Sequence, residues 1–150
     1  MATRQTTSQR EAVLPDGRWL RRTLGQRSDA EPLLADIRTA MSVAGYTDED
    51  VFGMALAVEE AVANGFDHGT RGDPAKAVRV RYHVTSRRAF VEVEDDGEGF
   101  VPREVADPLD EQRLDCPDGR GLLLMRELTS WLQHNDRGNR VTLCKERAAQ

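Results

Sequence analysis

Residues 78–95 read VRVRYHVTSRRAFVEVED, and this stretch decides the fold. Apolar and polar side chains alternate on both sides of the segment 85–88. A period of two places alternate side chains on opposite faces of a strand. The stretch therefore predicts an antiparallel hairpin, with its valines and Tyr82 on a buried face and Arg79, Arg81 and His83 on the other.

Two helices are predicted before this hairpin. Apolar residues recur at steps of three and four after Asp29, a candidate N-cap, and this pattern stops at Gly45. A second helix is expected to begin at residue 47 or 48 and to run to about residue 68, with Gly69 as its stop.

The rest of the chain completes the pattern of a two-layer α+β sandwich. We expect a short strand at 18–24, a third helix from near Gly121, and a final hairpin formed by 131–134 and 140–145. The segment 97–118 has no periodicity and contains three of the six prolines. Strands grouped in hairpins beside helices predict helices packed on one face of a mainly antiparallel sheet.

The composition limits the classes of protein to consider. A chain of 150 residues with 39% hydrophobic residues predicts one globular domain, at residues 18–150, after a flexible tail at residues 1–17. The net charge of −5 argues against nucleic-acid binding. We see no apolar run of the ~20 residues that a membrane helix needs, and no signal peptide. Two cysteines make no disulfide framework, so we expect a cytoplasmic protein.

The second helix carries the first candidate site residues. Glu60 and Asn64 lie one turn apart, on the side opposite the apolar stripe that includes Val58 and Val62. A solvated helix face is one interpretation of this pair. The other is the wall of a pocket, where a carboxylate accepts a proton and an amide oxygen binds Mg²⁺.

The second candidate follows the hairpin. Strand alternation places Asp95 on the buried face, and Gly97 and Gly99 follow it. An aspartate that caps a turn explains this pattern. The other interpretation is an acceptor for a ligand donor such as an adenine amine, since glycines let the backbone approach a ligand closely, although this pattern alone is a weak signal.

The third candidate is the start of the third helix. Gly119, Arg120 and Gly121 stand where free backbone N–H groups attract phosphate, and the arginine could add a contact. A flexible loop-to-helix junction is the alternative. The glycines match neither a P-loop nor a dinucleotide-binding fingerprint.

The order of the three patterns resembles a known superfamily. Glu-x-x-x-Asn on a helix, Asp-x-Gly-x-Gly after a strand and Gly-x-Gly at a helix start resemble the N, G1 and G2 boxes of the GHKL ATPases. Their Bergerat ATP-binding fold has a mixed, mainly antiparallel sheet. Residues 60–69 and 119–125 are most similar to the anti-sigma-factor serine/threonine kinases of the RsbW-like group.

This resemblance implies roles for the matching residues. Glu60 would be the general base or would orient the acceptor hydroxyl, and Asn64 would bind Mg²⁺. Asp95 would bind the adenine amine of ATP, with Gly97 and Gly99 shaping that wall.

Further residues receive roles from the same resemblance. The segment Gly119, Arg120 and Gly121 would surround the phosphates, with His68 and Leu122 beside the nucleotide. Thr142, on the last strand, would lie near adenine. Residues 97–118 would form the ATP lid, whose seven acids and two bases account for the whole net charge. Gly65 departs from the family pattern and predicts a locally weaker helix after Asn64.

The resemblance also implies a function. The protein would bind a sigma factor and phosphorylate a STAS-domain anti-anti-sigma antagonist, as a homodimer in the bacterial cytoplasm. The alternative is an ATP-binding regulatory module that sequesters a protein partner without significant kinase activity. A detached histidine-kinase catalytic domain would need a phosphoacceptor histidine on a dimerisation helix, and none of the three histidines lies in such a segment.

Overall fold

The computed structural model describes residues 14, 17–98 and 117–148, with the backbone alone at 117–120. The expected tail at 1–17 and the expected lid at 97–118, with Gly99, lie outside these residues apart from 14, 17, 97, 98, 117 and 118. The elements are β1 Leu20–Leu24, α1 Ala30–Val43, α2 Asp48–Asn64, β2 Val78–Val84, β3 Arg88–Asp95, α3 Pro117–Leu128, β4 Trp131–His134 and β5 Arg140–Glu146.

The strands form one five-stranded sheet in the order β1-β2-β3-β5-β4. Each pairing among these described strands is antiparallel, including the predicted β2–β3 hairpin, in which Val80 faces Val93 and Tyr82 faces Val91. The α+β prediction is confirmed. The parallel pair that a mixed sheet would need is not found among the strands that the structure describes.

The three helices cover one face of the sheet, which we call the inner face. Its strand residues include Val80, Val93, Val141 and Leu143, all buried, and the opposite outer face carries Arg81, Glu92 and Thr142. The largest fully buried side chains of the helices are Ile37, Met41, Met54 and Met125. Hydrophobic burial between the helices and the inner face therefore holds the two layers together.

The starts of the first two helices differ in their capping. The second helix starts at Asp48, one of the two expected starts, and Thr47 is its N-cap, because the Thr47 Oγ1 accepts the backbone N–H of Asp50 at 3.1 Å. Asp29 occupies the predicted N-cap position of α1, but its side chain makes no capping hydrogen bond to the helix. Its Oδ2 instead accepts the N–H groups of Gly25 and Gln26 at 3.0 and 3.1 Å, across a 3₁₀ turn that precedes the helix.

The end of α2 corrects the sequence prediction. The α-helix ends at Asn64, and a π-helical segment, Gly65–Thr70, replaces the expected α-helix up to residue 68. Gly69 is not its stop, since the segment ends at Thr70 and its C-cap is Arg71, in the left-handed region at φ +49°. A Cβ on Gly65 would lie 3.0 Å from Val78 Cγ2, so the unusual glycine allows the widened helix to approach the sheet.

The third helix begins earlier than predicted. It starts at Pro117 rather than near Gly121, so Gly119, Arg120 and Gly121 lie within its first turns. Proline suits the first position of a helix because its missing N–H has no intrahelical acceptor there. In the part of the chain that the structure describes, no helix has the length and apolar character to span a membrane.

Candidate functional site

A cavity of about 270 Å³ lies between the inner face and the helices. The end of α2 and its π-helical extension form one wall, β3 and β5 form the floor, and α3 closes the far side. This volume is near the lower end for small-molecule sites, which typically run from roughly 300 Å³ upward. The cavity is therefore a candidate ligand site at the meeting of both layers.

Four residues singled out by the sequence line this one cavity. They come from three separate elements: Asn64 and His68 from the end of α2 and its extension, Asp95 from β3, and Leu122 from α3. The fold brings these residues together from distant parts of the chain. It therefore supports one shared site rather than three unrelated surface features.

Asp95 has an environment suited to a hydrogen-bond acceptor. Its Oδ1 accepts the backbone N–H of Gly97 at 2.8 Å, and in the described residues nothing donates to Oδ2. Burial raises the pKa of Asp95, with the charges of Asp96 and Glu94 adding to this effect and the Gly97 N–H opposing it. The second oxygen can therefore accept a donor from a ligand.

Two glycines pack directly against this aspartate. A Cβ on Gly69 would overlap the Asp95 carboxyl group, and a Cβ on Gly97 would overlap Gly69 itself. Both positions therefore require glycine, the smallest residue, for close approach of backbone to side chain. Sequence reasoning expected Gly97 here but gave Gly69 only the role of a helix stop.

Glu60 lies beside the cavity rather than in its lining. It stands one turn before Asn64 on α2, and a Cβ on Gly121 would overlap its Oε1. Gly121 therefore lets the start of α3 approach a half-buried carboxylate. The backbone of residues 118–120 forms the first turn of α3, where N–H groups lack intrahelical acceptors.

Thr142 corrects the sequence prediction. It pairs with Glu92 in the sheet and lies on the outer face, whereas its neighbour Val141 pairs with Val93 and lines the cavity. Because the side-chain period is two, an error of one residue in register moves a side chain to the other face. Val141, and not Thr142, takes the position beside the cavity.

Sequence reasoning missed several cavity residues near the β4–β5 turn. His134 and Asn139 line the cavity, as does Arg71 after the π-helical segment. Arg140 also borders it, although it pairs with Glu94 in the sheet and its guanidinium lies beside that carboxylate on the outer face. Burial, with a smaller contribution from the charge of Arg126, lowers the pKa of His134 to about 4. The register of the final hairpin, in which His134 pairs with Val141, is the signal that could have found it.

The residues present fit a magnesium nucleotide. Among the described residues no group of three or more His, Cys, Asp or Glu side chains could hold a metal ion. The Asn64 amide oxygen could supply a single hard ligand, which suits Mg²⁺ because this ion commonly completes its shell with phosphate oxygens and water. The Oδ2 atom of Asp95, to which no described residue donates a hydrogen bond, fits the amine of a nucleotide base.

Comparisons with known proteins identify the family of the chain. Residues 26–145 match the family described as histidine kinase-like ATPase domain. The chain is also similar to a serine-protein kinase RsbW from Listeria innocua serovar 6a, at 28% identity over 114 residues, which cover 69% of this chain and 71% of that protein. The chain belongs to the histidine kinase-like ATPase domain family, as an RsbW-like member of the GHKL group.

Proposed function

We propose that the protein is an ATP-dependent serine/threonine kinase that acts as an anti-sigma factor. The observation that carries this proposal is the convergence of Asn64 and Asp95 on one cavity, with Glu60 one turn from Asn64 and against Gly121. The similarity to a serine-protein kinase supports the choice of phosphotransfer over other uses of ATP.

Asp95 would recognise the base. Its Oδ2 would accept the exocyclic amine of adenine, and Gly69 and Gly97 would hold the carboxylate in place. Guanine carries a carbonyl oxygen at the same ring position, and two acceptors repel each other. The site is therefore expected to prefer ATP to GTP.

Asn64 and Glu60 would act at the phosphate groups of the bound ATP. The Asn64 amide oxygen would ligate Mg²⁺, which neutralises phosphate charge when it is bound. The N–H groups in the first turn of α3 would stabilise the same negative charge. Glu60 would orient the acceptor hydroxyl of a serine or threonine and take its proton.

The partners belong to this proposal as well. The protein would hold a sigma factor and release it to an unphosphorylated STAS-domain anti-anti-sigma antagonist. Phosphorylation of that antagonist would restore inhibition. A homodimer in the bacterial cytoplasm is the expected assembly.

Phosphate transfer to a STAS-domain protein from the same organism tests the kinase activity. With γ-labelled ATP, Glu60→Gln should lower the transfer rate by about 10²-fold or more, the usual contribution of a general base. Its ATP affinity should stay within about twofold, because Glu60 lies outside the cavity lining. Glu59→Gln is the matched control, since Glu59 is an exposed neighbour on the same helix.

Two results separate the kinase from a module that only binds ATP. Labelling of the STAS-domain protein that depends on Glu60 supports the kinase. If the wild-type protein binds Mg-ATP and sequesters its partner but labels no STAS-domain protein, the kinase is excluded and the binding module remains.

A further inference from the structure

The turn between β4 and β5 holds the backbone around Asp95 from the sheet side. The Asp95 N–H donates to the Asn139 carbonyl at 2.9 Å, and the Asn139 side-chain Nδ2 donates to the Asp95 carbonyl at 3.0 Å. Asn139 thus contacts both backbone polar groups of the residue whose carboxylate faces the cavity. The first of these bonds is available to any residue at 139, whereas the second requires an amide side chain.

The rest of the turn fixes the side chain of Asn139. Its Oδ1 accepts Asn135 Nδ2 at 2.8 Å. Asn135 Oδ1 in turn accepts the N–H groups of Gly138 and Arg140 at 2.9 and 3.1 Å. Because both atoms of the Asn139 amide are bonded, its donor stays directed at Asp95.

A second contact reaches the other end of the same segment. Arg137 Nη2 donates to the Gly97 carbonyl at 3.2 Å, while the Gly97 N–H donates to Asp95 Oδ1. The segment 95–97 is therefore held at its first residue by Asn139 and at its last by Arg137. Between these two points the carboxylate of Asp95 is the only acidic group of the segment that faces the cavity, since Asp96 bonds Arg79 on the outer face.

We propose that Asn139 is a positioning residue for base recognition, assisted by Arg137, and that it acts through Asp95. This inference rests on the proposed binding of ATP by Asp95. Loss of the Asn139 amide would free the Asp95 carbonyl and let the carboxylate leave the geometry that accepts an amine. A recognition group must be held close to its productive geometry by supporting hydrogen bonds, so this loss is expected to weaken the discrimination between bases.

A double-mutant cycle tests the coupling of Asn139 to Asp95. The affinities of ATP and GTP are measured by calorimetry for the wild type, Asn139→Ala, Asp95→Asn and the double variant. We expect Asn139→Ala to lower the affinity for ATP about fivefold to tenfold and the affinity for GTP less than twofold. The reason is the loss of one hydrogen bond to the segment 95–97. In the Asp95→Asn background the same change should alter ATP affinity less than twofold.

Two further variants distinguish a change in base recognition from a general destabilisation of the β4–β5 turn. Arg137→Ala changes an exposed residue and should narrow the preference for ATP over GTP about threefold, with an unchanged melting temperature. Asp136→Ala, in the same turn but without a hydrogen bond or ion pair in the described residues, should leave both affinities unchanged.

The outcomes distinguish this inference from the proposed function. If Asn139→Ala weakens ATP equally in both backgrounds, or ATP and GTP equally, Asn139 is only part of the cavity wall and the inference is wrong. If the effects of Asn139 and Asp95 on ATP affinity are coupled but no phosphate is transferred, the kinase proposal alone is wrong. A wild-type protein that binds no ATP would overturn both.

Discussion

The two faces of the sheet treat neighbouring carboxylates in opposite ways. On the inner face Asp95 is partly buried, and its pKa is raised by that burial. The next residue, Asp96, accepts the N–H of Ala77 at 3.0 Å and bonds Arg79 at 2.6 Å, and these contacts lower its pKa. Two consecutive aspartates therefore have different roles. Asp96 stabilises the folded chain, whereas Asp95 keeps an oxygen that can accept a hydrogen bond from a ligand.

The same contrast extends over the whole sheet. On the outer face Arg81 bonds both oxygens of Glu92 at 2.9 and 2.8 Å, and the Trp19 ring lies 4.4 Å from the guanidinium carbon. Glu94 lies between Arg79 and Arg140. On the inner face, by contrast, Asp95 has no ion pair with an Arg or Lys among the described residues, and the charge of Arg137 has the smallest of the effects on its pKa. A partly buried carboxylate that lines a cavity and has no ion-pair partner is typical of binding residues, which supports the proposed role of Asp95.

Gly69→Ala should cause the largest loss of ATP affinity, because the added methyl group affects contacts on the inner face only. The added methyl group would overlap the Asp95 carboxyl group. We expect ATP affinity to fall about 30-fold or more and the free energy of unfolding to fall by about 1–3 kcal/mol, the usual cost of overpacking. Calorimetry and urea unfolding measure the two effects.

The matched control for this change is Gly53→Ala. The nearest atom to a Cβ on Gly53 is Leu128 Cδ2 at 3.5 Å, an ordinary contact distance. Alanine also favours the α-helix by up to about 1 kcal/mol over glycine, so this variant should be at least as stable as the wild type. Equal damage from both changes would contradict the close packing of Gly69 on Asp95.

Exchanging each aspartate for asparagine separates the two faces. Asp95→Asn should weaken ATP by about 1.5–3 kcal/mol, the range for a hydrogen bond to a charged group. It should also raise the melting temperature slightly, because a raised pKa means that ionised Asp95 opposes folding at neutral pH. Calorimetry and thermal unfolding at pH 7 measure the two changes.

Asp96→Asn should do the reverse. Its lowered pKa means that ionised Asp96 stabilises the protein at neutral pH, and that this contribution is lost as pH falls through the folded pKa. We expect a slightly lower melting temperature and an ATP affinity within about twofold of the wild type, because Asp96 does not line the cavity. Interchanged results for the two aspartates would refute the division between faces.

Glu92→Gln tests the outer face by itself. The Arg81–Glu92 pair is bidentate and Glu92 is 8% exposed, so its loss should lower the free energy of unfolding by about 1–2 kcal/mol with no change in ATP affinity. Glu146→Gln, which removes an exposed pair to Arg88, should cost less than about 0.5 kcal/mol. A reduced ATP affinity for Glu92→Gln would show that the faces are not independent.

His134→Gln should have the smallest effect at neutral pH and a clear one in acid. The pKa of His134 is lowered from 6.5 to about 4, so its protonation opposes folding. Wild-type stability should therefore decrease as pH falls from 6.5 towards 4, by on the order of 2 kcal/mol. Urea unfolding at pH 7 and pH 5 should show a smaller decrease for the variant, and an unchanged decrease would contradict the burial of His134.

The sequence predicted the elements with local patterns and failed where tertiary contacts decide. Alternation gave the β2–β3 hairpin and its inner valines. The resemblance to the GHKL boxes implied a common site for Asn64 and Asp95, and both line one cavity. The π-helical segment was missed, because it depends on the approach of Gly65 and Gly69 to the sheet. Thr142 was misplaced, since a strand's register is set by its partner and not by its own residues.

Amide chemical shifts during a titration with Mg-ATP test the central claim most directly. We expect the largest shifts at Asn64, Gly69, Gly97 and Asn139, which line or adjoin the inner-face cavity. Outer-face residues outside the cavity lining, such as Arg81 and Phe90, should shift little. Shifts concentrated on the outer face, or none at the cavity under saturating Mg-ATP, would contradict the assignment of this cavity as the nucleotide site.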